Sequence, residues 1–223
     1  MRSTSGFKHD LFAQFARVGK ALSNGNRLEL LEYIAQGERG VDELAKVSGL
    51  TVANTSQHLQ QLRQAGLVSC RKEGLKVFYT LSGDDVIGLL AALRGVGQRH
   101  VADVEKLITT YLTVKDDLEP LPRQELLARV RDGLVTVLDV RPAEEYAAGH
   151  VPGAINVPLP DLEKHLQALD PGQEIVAYCR GPHCVLAFEA VDRLRSRGLR
   201  ARRLEDGYPE WKHAGLPVES EST

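Results

Sequence analysis

Halfway along the chain stands the charged stretch TVKDDLEPLPR, residues 113–123, with Pro120 and Pro122. Proline lacks an N–H and clashes with the preceding helical turn, so no helix runs through this stretch, and its composition is that of an extended connector. The chain therefore reads as two domains, 1–112 and 124–223, joined by a linker at 113–123; 223 residues are enough for two modest cores. Residues 1–112 carry 14 Lys/Arg against 11 Asp/Glu and residues 113–223 carry 14 against 19, so the halves stand at about +3 and −5. A mildly basic half permits nucleic-acid binding. Neither an 18-residue apolar run nor a basic-then-apolar leader is present, and the expectation is a cytoplasmic protein with no membrane partner. Three cysteines, an odd number, argue against a disulfide framework and for at least one chemically employed thiol.

In the first half the apolar period is helical. Residues 1–9 read as a frayed terminus, and Leu11, Phe12, Phe15, Ala16 and Val18 begin a helix that Ser23-Asn24-Gly25-Asn26 breaks. Residues 27–35 form a second helix, 37–40 a turn, 41–48 a third helix, Gly49-Leu50 a turn, and Thr51 caps a fourth helix over 52–64. Helix, glycine-bearing turn, helix is the helix-turn-helix pattern. The period then becomes alternating: 67–71 and 76–81 pair through 72–75 as a β-hairpin with a basic tip, the shape of a wing. One long helix over 84–112 follows, with Leu89, Leu93, Val96, Val104 and Leu107 on its apolar stripe. A small domain cannot cover so long a stripe, so it pairs with a second copy.

The stretches ALSNGNRLELLEYI and VDELAKVSGLTVANTSQHLQQLRQAGLV, with the wing and long helix, resemble the ArsR family of bacterial winged-helix repressors over about residues 11–112. The most specific part is Ser56-x-His58-Leu59-x-x-Leu62-Arg63-x-Ala65-Gly66-Leu67-Val68. The resemblance implies that the fourth helix enters the major groove of a double-stranded operator, with Ala53, Asn54, Ser56, Gln57, His58 and Gln60 facing DNA, and that Arg71, Lys72 and Lys76 of the wing meet phosphates. His58 reads equally as a packing residue and Asn54 as a cap. A homodimer through the N-terminal helix and the helix at 84–112 is implied as well. Family members usually sense metals, metalloids or reactive sulfur. Where a Cys-Val-Cys-like metalloid cluster would stand, this chain has Gly40-Val41-Asp42-Glu43-Leu44; His100 and Asp103, with Asp84-Asp85 upstream, fall short of the three or four ligands zinc takes. No metal and no cofactor are expected. Cys70 reads as a small buried side chain.

In the second half short apolar runs alternate with helical ones. Helices are expected at 124–131, 144–148, 161–169 and 185–197, and strands at 136–140, within 151–158, at 174–179 and at 201–204, before Gly207-Tyr208-Pro209-Glu210-Trp211 closes the pattern. Such alternation gives a parallel sheet covered on both faces, with its site at the carboxyl ends of the strands. Cys179 lies at one of these ends, in a tight loop before a helix. Loop N–H groups and the positive helix terminus there acidify a thiol and hold anionic sulfur.

The runs DVR-x3-EY-x2-GHVPGAINVPL, YCRGPHC and EDGYPEWKHAGLPV resemble a rhodanese domain over about residues 118–219. The resemblance implies that Cys179 is the nucleophile, taking sulfur from a sulfane-sulfur donor as a persulfide and passing it to a thiol acceptor. Arg180, Gly181, Pro182, His183, Cys184 and Val185 then form the substrate loop, Asp139 and Arg141 brace it through an ion pair, and His150 and Trp211 are structural. The sixth loop position, often Arg or Thr, is Cys184, which leaves Arg180 as the main nearby charge. Cys184 could resolve a persulfide or sulfenate to a disulfide, hold an inserted sulfur, help bind arsenite, or simply sit under the loop. His183 could donate to a bound anion or face solvent. The fold class expected is thus multidomain, a mainly-α winged helix-turn-helix with a hairpin wing followed by an α/β rhodanese-like parallel sheet. The function expected is a DNA-binding regulator that senses or transfers sulfane sulfur at Cys179. The alternatives are a sulfurtransferase that uses the winged helix to dimerise, and an arsenic- or oxyanion-responsive regulator.

Overall fold

The computed structural model describes residues 4–112 and 120–221. Contacts divide the chain into two compact units, Met1–Val86 and Ile87–Thr223. The first runs α1 (Thr4–Leu22), α2 (Gly25–Ile34), β1 (Arg39–Gly40), α3 (Val41–Ser48), α4 (Val52–Gln64), β2 (Val68–Glu73) and β3 (Lys76–Leu81). The Asn24 side chain accepts from Arg27 N at 3.2 Å and so caps α2. Gly49, at φ 68°, gives α3 its left-handed exit, and Thr51 Oγ1 accepts from Asn54 N at 3.3 Å to start α4. Leu30, Leu31, Ile34, Leu44, Leu59, Leu62 and Tyr79 are the buried centre of this unit, each worth roughly 1.5–3 kcal/mol of burial. The Arg27 guanidinium ties α2 to the end of α1 through Lys20 O at 2.9 Å and to α4 through Gln61 at 2.6 Å.

Three details of this unit differ from the sequence reading. The terminus expected to fray is helical from Thr4, because nothing between Gly6 and Leu22 interrupts α1; residues 1–3 lie outside the described set. The turn at 37–40 contains β1, which pairs antiparallel with β3 (Arg39 with Tyr79, Gly40 with Phe78) in a sheet of order β1-β3-β2; two residues are too short for a period to show. The hairpin strands reach Glu73 and Lys76, so the wing turns on Gly74-Leu75, with Gly74 at φ 59°.

The expected single helix over 84–112 is two, α5 (Asp85–His100) and α6 (Ala102–Tyr111). Val101 between them is extended, at φ −112° and ψ 101°. Its N–H still bonds to Gly97 O at 2.9 Å while its carbonyl accepts from Val104 N at 2.9 Å, so one helix ends where the next begins. Gly95 and Gly97 weaken the last turns of α5, and the β-branched Val101 favours the extended state.

The second unit continues through α7 (Arg123–Arg131), β4 (Val135–Asp139), α8 (Ala143–Ala148), β5 (Ile155–Asn156), α9 (Leu162–His165), β6 (Glu174–Tyr178), α10 (Val185–Ser196), β7 (Ala201–Arg203) and α11 (Tyr208–His213). The helix expected over 161–169 is α9 flanked by two 3-10 turns. The four strands are parallel in the order β5-β4-β6-β7. Alternation along β6 sends Ile175, Ala177 and Cys179 to a core shared with α10, and Val176 and Tyr178 to one shared with Tyr208 and Trp211. Of the expected linker, residues 113–119 lie outside the described set. Leu121 is buried and bridges Leu204, and Pro122 is the N-cap of α7. No helix among the described residues is long and apolar enough to cross a membrane.

Candidate functional site

Strand β6 stops at Tyr178 and α10 starts at Val185, so Cys179–Cys184 is a loop that wraps the N-terminus of α10. Cys184 is the N-cap residue of α10; its N–H bonds to Gly181 O at 3.1 Å and its carbonyl accepts from Ala187 N at 3.2 Å. Cys179 is 1 % exposed, and its Sγ is bonded to that of Cys184 in a disulfide with the Cα atoms 6.1 Å apart. The two thiols that the sequence placed five residues apart therefore meet at one point.

Behind the loop, Tyr208 N donates to Cys179 O at 3.0 Å. The preceding Gly207 lies against the loop so closely that a Cβ there would overlap the backbone of Arg180 and Gly181. The sequence reading names both residues only as part of its closing motif, without a role at the loop, since a glycine's contact with backbone 26 positions away leaves no local signal. Asp139 and Arg141 are wholly buried and face one another, with Arg141 Nε 2.9 Å from Asp139 Oδ1 and Nη2 2.5 Å from Oδ2. Tyr178 donates its hydroxyl proton to Asp139 Oδ2 at 2.6 Å and accepts from Val151 N at 3.1 Å. Burial, with Asp139 alongside, holds the Tyr178 phenol well above its ordinary pKa. Arg141 also donates to Gly149 O at 2.7 Å and stacks on Tyr208. This network joins the ends of β4 and β6, so the strand end carrying Cys179 is fixed. His150 stacks on Tyr146 with ring centroids 3.7 Å apart, and Trp211 Nε1 donates to Pro217 O at 2.7 Å, both of them framework contacts.

Arg180, expected as the main charge near the donor, is itself paired. Arg180 makes a bidentate pair with Glu145, Nε to Oε1 at 2.9 Å, Nε to Oε2 at 3.0 Å and Nη2 to Oε1 at 2.7 Å. The carboxylate is fully buried, and the guanidinium is nearly so. A buried carboxylate this close offsets the charge and fixes the side chain. His183 is half-buried beside Gln98 Nε2, 2.8 Å from its Nε2. Desolvation first, then the charges of Arg94 and Arg203, lower its pKa, so the ring is neutral at pH 7. Arg94 is itself paired with Glu210.

In the first unit α4 exposes Ala53, Asn54, Gln57 and Gln60. Positions 53, 57 and 60 share one face by helical spacing. Ser56 is half-buried, as is His58, whose Nδ1 is turned inward without a hydrogen bond among the described residues. Asn54 contributes its backbone N–H to the cap of α4. On the wing Lys72 and Lys76 are exposed. Arg71 is held by Glu38 (Nε to Oε2 2.8 Å) and Glu73 (2.5 Å), and lies over Phe78. These two carboxylates push its pKa further up and offset its charge, which the sequence had assigned to phosphate. Cys70 is half-buried opposite Tyr79. Among the described residues no three His, Cys, Asp or Glu side chains gather as a metal-ligand set.

Family models match twice, as a bacterial regulatory protein of the arsR family over residues 24–69 and as a rhodanese-like domain over residues 122–214. The HTH-type transcriptional regulator Rv0324 of Mycobacterium tuberculosis is 46 % identical over 219 residues, which is 98 % of this chain and 96 % of that protein. Among solved structures, the homodimeric winged helix-turn-helix DNA-binding domain of Mb0332 from Mycobacterium bovis is 42 % identical, with a TM-score of 0.42, covering 45 % of this chain and 94 % of that one. A rhodanese-related protein from Thermoplasma volcanium is 26 % identical, with a TM-score of 0.41, covering 46 % of this chain and 98 % of that one. A relative of this identity along nearly the whole of both chains, with both halves matched in order, settles the family. The chain belongs to the ArsR-family HTH-type transcriptional regulators that carry a C-terminal rhodanese-like domain.

Proposed function

We propose that this DNA-binding regulator responds to sulfane sulfur through the Cys179–Cys184 pair. The observation that carries the reading is the meeting of both loop sulfurs in one disulfide at the N-terminus of α10. In the reduced loop the Cys179 thiolate attacks the terminal sulfur of a hydropolysulfide, forming an S–S bond and releasing a chain one sulfur shorter. The Cys184 thiolate then attacks Sγ of Cys179, closing the disulfide and expelling HS⁻. The donor supplies both oxidising equivalents, so no further oxidant is needed. The same loop cradle that acidifies the thiolate stabilises the anionic persulfide.

The output is operator affinity. Gln57, Gln60, Asn54 and Ala53 read base edges, with Ser56 and His58 at the margin of that face, and Lys72 and Lys76 supply salt-sensitive phosphate contacts. The exposed Phe12 and Phe15 of α1 and Leu89, Leu93 and Val96 of α5 support dimerisation through those helices. Residues 1–112 would then form the DNA-binding and dimerisation domain and residues 124–223 the sensor, within a cytoplasmic protein.

The test uses reduced full-length protein and a duplex operator selected with it. After polysulfide, intact mass shows an adduct of about 32 Da on Cys179 and then a loss of about 2 Da from the reduced mass. Operator affinity shifts at least about fivefold in parallel. Unchanged affinity together with continuous sulfur transfer to cyanide or a thiol would favour the sulfurtransferase reading instead.

A further inference from the structure

We propose that Glu145 is the residue that sets which sulfur donors the loop accepts, by neutralising Arg180 so that hydropolysulfides and hydropersulfides load Cys179 while dianionic thiosulfate is excluded. The inference rests on sulfur acceptance at Cys179 and adds its substrate class. Arg180 directly follows the reactive cysteine and is the loop's own cation. Its guanidinium is held by both oxygens of Glu145, a carboxylate with no exposed side-chain surface. A guanidinium so paired offers an arriving dianion little net attraction, and an anion of two charges beside the Glu145 carboxylate meets repulsion in a site of low dielectric.

Two other cations near the loop are engaged in the same way, while Arg203, beside His183, lies over the Phe188 ring. Arg94 pairs with Glu210 and Arg141 with Asp139. The sixth loop position holds Cys184, and the neighbouring His183 ring is kept neutral. What remains for the donor is the set of backbone N–H groups at the N-terminus of α10. Those hold one developing negative charge on sulfur, as in a hydropolysulfide or hydropersulfide. Both donors react in balance: Cys179–S⁻ with a hydropolysulfide gives the persulfide and a chain one sulfur shorter, and with thiosulfate gives the persulfide and sulfite. The chemistry is open to either; charge decides between them.

The experiment is the rate of Cys179 persulfide formation, read by intact mass on reduced full-length protein given inorganic polysulfide or thiosulfate. Cys184→Ser is present throughout, so that the adduct accumulates. Polysulfide loads at least about tenfold faster than thiosulfate. Glu145→Gln raises the thiosulfate rate about tenfold and the rate with singly charged hydropolysulfide by no more than about threefold. The double variant Glu145→Gln/Arg180→Gln, which replaces the ion pair by an amide pair of similar shape and guards against misfolding of the single variant, returns thiosulfate to the slow rate. A thiosulfate rate that stays unchanged in folded Glu145→Gln, or that stays raised in the double variant, overturns the assignment of Glu145. Failure of both donors to load Cys179 overturns the sulfur-acceptance reading beneath it.

Discussion

At the residue scale the loop's chemistry divides between two cysteines and the groups that hold them. Cys179 is a buried strand-end residue and Cys184 the N-cap of a helix, so removing either sulfur has a distinct consequence. Cys184→Ser is expected to arrest polysulfide-treated protein at the adduct of about 32 Da, whereas Cys179→Ser shows neither adduct nor disulfide; a disulfide-like loss of mass in either variant would contradict the scheme. The Asp139–Arg141 pair lies wholly inside the molecule. Asp139→Asn leaves a buried guanidinium unneutralised, which costs about 3–5 kcal/mol, read as a lowered denaturation midpoint. His183 gives a pH signature. Its folded-state pKa is depressed, so between that value and about 6.5 the unfolded chain binds the extra proton. Stability is therefore lost as pH falls below about 6.5, and His183→Asn should flatten that limb of a stability-against-pH curve.

At the element scale the pattern of periods carried most of the fold, because helices such as α4 and α10 and the strand β6 each bury a regular face. What escaped was short or non-local. The two-residue strand β1 exists only because β3 passes beside it. The break at Val101 lies inside an apolar stripe that runs on unchanged through α6. At the loop, the placing of Cys179 at the end of β6 and the Asp139–Arg141 pair were legible from their motifs, but the partner that takes up Arg180 was not: Glu145 is 35 residues away on α8. The wing repeats the lesson, since Arg71 reads as a phosphate contact until Glu38, 33 positions earlier, is found against it. This pairing makes a prediction at the level of the hairpin. Glu38→Gln with Glu73→Gln should release Arg71 and raise affinity for any duplex, steepening the dependence of log K on log salt by about one. An unchanged slope would mean that the wing arginine stays away from the backbone.

At the scale of the whole molecule, a regulator needs its two units to share free energy. Operator binding and disulfide closure then form a thermodynamic cycle, and the coupling is the same whichever side of the cycle is measured. If closing the Cys179–Cys184 bond changes operator affinity tenfold, saturating operator must change the dithiol–disulfide equilibrium tenfold as well. For this two-electron couple that is a shift of about 30 mV, measurable in a glutathione-buffered titration followed by intact mass. Closure that weakens binding requires DNA to make the disulfide easier to reduce; closure that strengthens binding requires the opposite. For either sign the two magnitudes must agree. A large change in operator affinity with no shift in the midpoint would show that the DNA response arises elsewhere, Cys70 on the wing being the remaining thiol. Repeating the titration with Cys70→Ser decides between these, since a response carried by the loop keeps both its affinity change and its midpoint shift in that variant.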